Sequence, residues 1–236
     1  MQINKQHSRY ELDHNFDQLP QLNGTINAAY TAAAARIANR HFEIIGTNAT
    51  DSNITFDADG VSTGIKLLTA GTADNQVIVL PHLDTRQTAW SGVKWGSNNE
   101  LQWECTFATP SLGALDTISI WAGLKLTNVP AFATDVDQAY FAYTAGGGSI
   151  TDPIGNIIPD SYLYFIYSID GTDYITNLGI QLAADSFYTL SIDFSVDHTV
   201  GIHVSIDGVE KSYLVSQTAF DVTDATTRAA TQITQT

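Results

Sequence analysis

Four aspartates in two short segments have the side chains that a calcium ion prefers. Asp135 and Asp137 lie between two strand-like runs, and Asp170 and Asp173 flank a glycine a little further along the chain. Calcium takes hard oxygen ligands clustered in loops, so these four carboxylates predict calcium as the candidate metal. Aspartate is also an ordinary turn residue, and turn geometry alone explains the Asp170-Gly171 pair.

The same carboxylates are poorly arranged for hydrolysis of a glycosidic bond. That reaction needs two carboxylates flanking one sugar linkage. The nearest pairs are Asp135 with Asp137 in a loop, and Asp193 with Asp197 on a strand face that should be solvated. The six histidines also lack metal-site spacing. We therefore predict that the protein is not an enzyme and has neither catalytic nor cofactor-binding residues.

The single cysteine is predicted to be structural. Cys105 alternates with polar residues on the same side as Leu101, Trp103 and Phe107, a pattern typical of a buried thiol on the inner face of a strand. One cysteine cannot form a disulfide within the chain.

Aromatic residues on both faces of two runs are candidates for contact with a ligand or a subunit. Residues 139–143 and 162–167 are apolar or aromatic throughout, which predicts central strands covered on both sides. The second cover could be a ligand, a loop, the N-terminal helix or a neighbouring subunit. The candidate side chains in this region are Trp121, Tyr140, Tyr162 and Tyr164.

A period of two dominates from about residue 53 onward and predicts an all-β fold, a sandwich or jelly roll. The predicted strands are 77–80, 101–107, 117–127, 139–144, 162–169, 187–196, 200–206 and 209–215. The last three should form a meander, because Asp197-His198 and Asp207-Gly208 are suited to tight turns.

The N-terminal part has a different pattern. Residues 26–41 are rich in alanine and predict a helix, with Ile26, Tyr30 and Ile37 on one face as candidate interface residues. This apolar face is narrow, so the helix needs a partner surface. We predict an arm over residues 1–52, a sandwich over residues 53–216 and a polar tail over residues 217–236.

Charge divides the chain in a similar way. The net charge is −15, with 10 basic and 25 acidic residues. Residues 1–42 have four basic and three acidic groups (+1), which leaves six basic against 22 acidic (−16) for the remainder. Such an acidic surface repels nucleic acid and anionic membranes. No run approaches the about 20 apolar residues that cross a bilayer, so we expect no membrane insertion and synthesis in a cytoplasm.

Several segments together resemble a known family. They are residues 103–107, 120–127, 135–141, 167–174 and 188–208, which begin with Trp103-Glu104-Cys105-Thr106-Phe107 and end at Ile206-Asp207-Gly208. They resemble the concanavalin A-like (laminin G-like) jelly roll found in structural proteins of tailed bacteriophages, notably marine ones. The resemblance covers about residues 55–215.

The resemblance implies a virion protein made in the host cytoplasm, either a capsid decoration (cement) protein, a head fibre or a tail-associated adhesin. It further implies the major capsid protein or other virion proteins as partners, a homo-oligomer with a trimer favoured, and a glycan as an alternative ligand. Residues 224–236 contain one large apolar residue, Ile233, where such domains usually have a closing strand. An N-terminal segment or another copy would then close that edge. A lectin or adhesin and a polysaccharide-degrading enzyme are the competing functions.

Overall fold

The computed structural model describes residues 42–45, 54–56, 64–69, 75–81, 101–124, 138–144, 150–151, 157–158, 161–169, 172–194, 200–206 and 209–214. The chain divides into two compact units, residues 1–82 and residues 83–236, and each is considered by itself. The predicted helix at 26–41, with Ile26, Tyr30 and Ile37, lies outside the described residues, as does the polar tail.

Within its described residues, the first unit contains two antiparallel strand pairs. Strand β1 (Phe42–Ile45) pairs with β4 (Ile78–Pro81), and β2 (Ile54–Phe56) pairs with β3 (Ile65–Leu67). Leu67 and Leu68 are exposed large apolar side chains in this unit.

The second unit is built from two four-stranded antiparallel sheets and one helical turn. Its elements are β5 (Leu101–Ala108), α1 (Leu112–Leu115), β6 (Ser119–Leu124), β7 (Gln138–Thr144), β8 (Ile150–Thr151), β9 (Ile157–Ile158), β10 (Tyr162–Ile169), β11 (Thr172–Gln181), β12 (Phe187–Phe194), β13 (Val200–Ile206) and β14 (Val209–Leu214). Sheet 1 has the order β11-β10-β7-β6, and sheet 2 has the order β14-β13-β12-β5. Strands β8 and β9 form a small separate pair.

Alternation along the strands places one set of side chains between the two sheets. Phe141 and Phe165 of sheet 1 belong to the same buried cluster as Tyr188 and Leu190 of sheet 2. The Trp103 ring of sheet 2 lies 6.5 Å from the Phe141 ring of sheet 1. The prediction of an all-β sandwich is confirmed.

Predicted and observed strands agree most closely where alternation is regular. The bounds of β10 and β13 are those predicted, and β12, β13 and β14 form the predicted meander. Strand β11 was not predicted, because Asn177 and Gly179 interrupt its pattern. The structure has a register shift there, with Gly179 at φ +67° and the Asn177 Oδ1 accepting the Gly179 N–H at 2.8 Å.

A buried threonine fixes the connection by which the chain crosses from sheet 1 to sheet 2. Thr109, only 4% exposed, donates through Oγ1 to the carbonyl oxygens of Ala183 (2.6 Å) and Ser186 (3.1 Å). The same oxygen accepts the Ser186 N–H at 3.0 Å. The Tyr188 hydroxyl accepts the Ala183 N–H at 2.8 Å. The turn between β11 and β12 is therefore tied to the end of β5.

Strand β14 ends sheet 2. In the described part of the chain it pairs with β13 alone, in the register Ile206↔Val209 to Gly201↔Leu214. That a segment of the N-terminal arm or of another copy closes this edge stays a prediction.

Candidate functional site

The outer face of sheet 1 has a second apolar cluster, separate from the core between the sheets. We call it the outer aromatic cluster, and its members are Trp121, Tyr140, Ala142, Tyr162, Tyr164, Ile166 and Ile175. The Trp121 and Tyr140 rings are stacked, with centroids 5.2 Å apart and planes at 15°. The fold thus brings together the four aromatic residues that the sequence singled out, from strands β6, β7 and β10.

Burial divides these four residues into two pairs. Tyr140 and Tyr164 are 1% and 6% exposed, so they have almost no surface to offer a ligand. Trp121 and Tyr162 are partly exposed. The prediction of cover on both faces is confirmed for residues 139–143 and for residues 163–167, which are all buried, but not for Tyr162.

A glycine allows the edge strand β6 to lie close to Tyr140. Gly123 is opposite Tyr140 in the β6–β7 register and has φ +146°. A Cβ at this position would lie 2.5 Å from the Tyr140 Cα and 2.6 Å from the Ala139 carbonyl oxygen. Only glycine fits this approach, which lets the Trp121 ring, two residues before it, reach Tyr140.

Strand β11 contributes one polar contact to the outer aromatic cluster. The Asn177 Nδ2 donates to the Tyr164 hydroxyl at 3.4 Å, while its Oδ1 holds the irregular backbone at Gly179. One amide therefore connects the register shift of β11 to the aromatic cluster.

A polar pair lies at the end of sheet 1 where β7 begins and β10 ends. The Gln138 Nε2 donates to the Ser168 Oγ at 2.7 Å, and both side chains are fully buried. Ser168 lies opposite Gln138 on one side and Asp173 on the other. The Gln138 Oε1 accepts no hydrogen bond from any residue that the structure describes.

One of the predicted calcium ligands, Asp173, lies at this same end of sheet 1. Asp173 is in β11 at the position opposite Ser168. Asp135, Asp137 and Asp170 lie outside the described residues, but Asp137 directly precedes Gln138 and Asp170 follows Ser168 by two residues. Of the four predicted ligands, Asp173 is therefore the one whose strand position the structure describes, in one row with Ser168 and Gln138.

The single thiol has a setting that disfavours ionisation. Cys105 is on the inner face of β5, opposite Leu190 in the register. Burial, with a smaller contribution from the neighbouring Glu104 carboxylate, raises the pKa of Cys105 to about 11. Because the thiolate is the nucleophilic form, the raised pKa disfavours reaction of this thiol at neutral pH.

The outer face of sheet 2 is polar along β5 and β12, where the structure describes its side chains, in contrast to that of sheet 1. Glu104 and Thr106 of β5 are exposed, and Thr189 and Ser191 beside them are partly exposed. The hydroxyl oxygens of Thr106 and Thr189 are 2.8 Å apart. One large apolar residue, Phe187, is exposed at the end of this face.

Within the described ranges, no group of three or more histidine, cysteine, aspartate or glutamate side chains is placed to hold a metal ion. The helical segments in these ranges include none that is long and apolar enough to span a membrane.

Comparison with known proteins identifies no family for this chain. No family model matches the chain, and no curated protein matches it. A protein of unknown function from Shewanella oneidensis MR-1 is similar in structure, with 12% identity and a TM-score of 0.48. The match covers 76% of this chain and 64% of that one.

Three residues that shape the site were not singled out by the sequence patterns. Gly123 could have been found, because a glycine inside a strand often indicates a close backbone approach. Gln138 and Asn177 carry no such signal, since their roles depend on which strands become neighbours.

Proposed function

We propose that the chain is a structural subunit of a tailed-phage virion, either a capsid decoration (cement) protein or a head fibre, with sheet 2 facing outward. The observation that supports this proposal is the contrast between the two outer faces of the sandwich. Sheet 2 presents the exposed polar side chains Glu104 and Thr106, whereas the strands at the centre of sheet 1 are buried on both faces. Because the single chain already buries these strands, the solvated outer face of sheet 2 is the face that would point away from the particle.

The distribution of charge agrees with this orientation. Residues 1–42 have a net charge of +1, and residues 43–236 have a net charge of −16, from four basic against three acidic and six basic against 22 acidic groups. The weakly basic arm would dock on the major capsid protein or another virion protein while the acidic sandwich remains in solvent. We expect a homo-oligomer, with a trimer favoured, since virion appendages follow the symmetry of the site that they occupy.

Electron microscopy of purified particles tests the location. Gold-labelled antibodies raised against the full chain should decorate the virion surface, and light scattering of the purified protein should give a trimer mass. Unlabelled particles from which the protein is absent by mass spectrometry would contradict the proposal.

A thiol label tests the orientation. In a Cys105→Ala background, a Thr106→Cys variant places the only thiol on the outer face of sheet 2. It should react with a maleimide at equal rates on the free protein and on the particle. Protection on the particle alone would show that sheet 2 faces inward. The Cys105→Ala protein without the added thiol is the control for background labelling.

A second candidate function is carbohydrate binding, as a lectin or a tail-associated host-receptor adhesin. The partly exposed rings of Trp121 and Tyr162 favour it, because aromatic faces stack on sugars. Glycan-array binding that Trp121→Ala abolishes and Phe187→Ala retains would support it. Phe187 is the matched control, since it is an exposed aromatic on the other sheet. No binding by the wild-type protein would contradict it.

A further inference from the structure

Among the described residues of the second unit, the side-chain oxygen of Gln138 is buried without a hydrogen-bond donor. The Gln138 side chain is 0% exposed, and its Nε2 donates to Ser168 at 2.7 Å. Its Oε1 is buried and accepts no hydrogen bond within the described part of the chain. A buried amide oxygen left without a donor or a cation costs about 1 to 3 kcal/mol in protein mutational series.

An acidic residue, Asp173, lies at the same end of the sheet. Asp173 lies opposite Ser168, which lies opposite Gln138, so the three residues form one row across β7, β10 and β11. In the sequence Asp137 is adjacent to Gln138, and Asp170 is two residues from Ser168. A nearby cation favours the charged form of a carboxylate such as that of Asp173.

A basic residue follows strand β6 in the sequence. Lys125 directly follows Leu124, which lies opposite Ala139 in the β6–β7 register. An ammonium group is a competing source of positive charge for the aspartates, so the experiment includes its removal.

We propose that this end of sheet 1 binds a divalent cation of the calcium type, with the Gln138 Oε1 as a ligand and Asp173 as a carboxylate ligand. Amide carbonyl and carboxylate oxygens are the ligands that calcium takes, in an arrangement of six to eight oxygens that tolerates irregular geometry. The cation supplies the partner that the buried oxygen lacks. The proposal does not depend on the virion role, and either can fail without the other.

The test is the calcium dependence of unfolding, measured on the full chain after treatment with a chelator. Millimolar CaCl2 should raise the unfolding temperature of the wild-type protein, and isothermal titration calorimetry should give a saturable 1:1 isotherm. Gln138→Leu, which removes an oxygen ligand, and Asp173→Asn, which removes the negative charge of a ligand, should each weaken calcium affinity by about tenfold or more. Asp116→Asn, an exposed aspartate after α1, should bind calcium as the wild type does.

A second variant keeps the proposal falsifiable if Gln138→Leu fails to fold. Gln138→Glu should gain affinity for calcium and should be stabilised by it more than the wild type is. Without a cation site, the same variant buries an uncompensated carboxylate and is less stable at every calcium concentration. No shift of the wild-type unfolding temperature on addition of calcium would overturn the proposal. Destabilisation by Lys125→Met would then assign the countercharge to Lys125.

Discussion

Replacement of Gly123 by alanine should be among the most destabilising small changes in the second unit. At φ +146° a residue with a Cβ is strained, at a cost of about 1 to 3 kcal/mol. The added methyl would also lie 2.5 Å from the Tyr140 Cα and 2.6 Å from the Ala139 carbonyl oxygen, and neither backbone atom can move without shifting β7. Overlap of this kind costs about 1 to 3 kcal/mol more. Alanine also lowers the entropy of the unfolded chain, which returns about 0.4 to 1 kcal/mol. The net loss in the free energy of unfolding is therefore about 1 to 5.6 kcal/mol.

Two other glycines of the same unit separate these contributions. Gly179 has φ +67° but nothing within 4 Å of an added Cβ, so Gly179→Ala should cost about 1 kcal/mol from backbone strain alone. Gly113 lies in α1 with neither a positive φ nor a neighbour within 4 Å. Gly113→Ala should therefore stabilise the protein by about 0.5 to 1 kcal/mol.

Urea unfolding followed by tryptophan fluorescence and far-ultraviolet circular dichroism gives the three free energies, provided that the denaturant slope is unchanged. The near-ultraviolet circular dichroism spectrum should also change in Gly123→Ala, because the Trp121–Tyr140 stack at 5.2 Å depends on the close approach of β6. A loss at Gly123 no greater than that at Gly179 would refute the reasoning, since the overlap with β7 would then contribute nothing.

Two further outcomes follow from contacts in the second unit. Thr109→Val should lower the free energy of unfolding by about 1 to 3 kcal/mol, because the Ser186 N–H and the Ala183 carbonyl lose their partner, whereas Thr109→Ser should lose much less in the same urea titration. Cys105 has a folded-state pKa of about 11 against an ordinary value of 9.0, so the thiol holds its proton more tightly when folded. The resulting stabilisation of the folded protein is complete below pH 9 and is lost as the pH rises to 11, so the free energy of unfolding should fall by about 2 kcal/mol over this range. Cys105→Ala should not show this fall. Equal alkaline losses in both proteins would contradict the assignment to Cys105.

The sequence predicted those parts of the fold in which local pattern and tertiary burial agree. The alternation in residues 187–206 gave strands β12 and β13 and their hairpin, and the two-sided apolar runs gave the central strands of sheet 1. Strand β11 escaped prediction because Asn177 and Gly179 form an irregularity in which a side-chain amide replaces a regular register. The alternation of apolar and polar residues does not indicate where a side-chain hydrogen bond replaces the regular pairing of a strand.

The candidate sites could be predicted only in part, for a related reason. Aromatic type and spacing identified four candidates, because a run with aromatic residues on both faces can be recognised from the sequence alone. They are Trp121, Tyr140, Tyr162 and Tyr164. The row from Gln138 through Ser168 to Asp173 is visible only once the antiparallel register of β7, β10 and β11 is known. Which strands become neighbours is a property of the whole sheet and not of any segment.

Burial of both faces of β10 has a consequence for how the protein opens. This strand is hydrogen-bonded to β7 on one side and to β11 on the other, and its residues 163–168 are all buried. Its amide hydrogens can exchange with solvent only when the second unit unfolds as a whole, so their exchange rates should report the global free energy. Amides of the outermost strand β14 should exchange through local fraying. The amide hydrogens of β14 are therefore expected to exchange much faster than those of β10. A neighbouring chain that pairs with β14 would slow the exchange of β14 without altering that of β10.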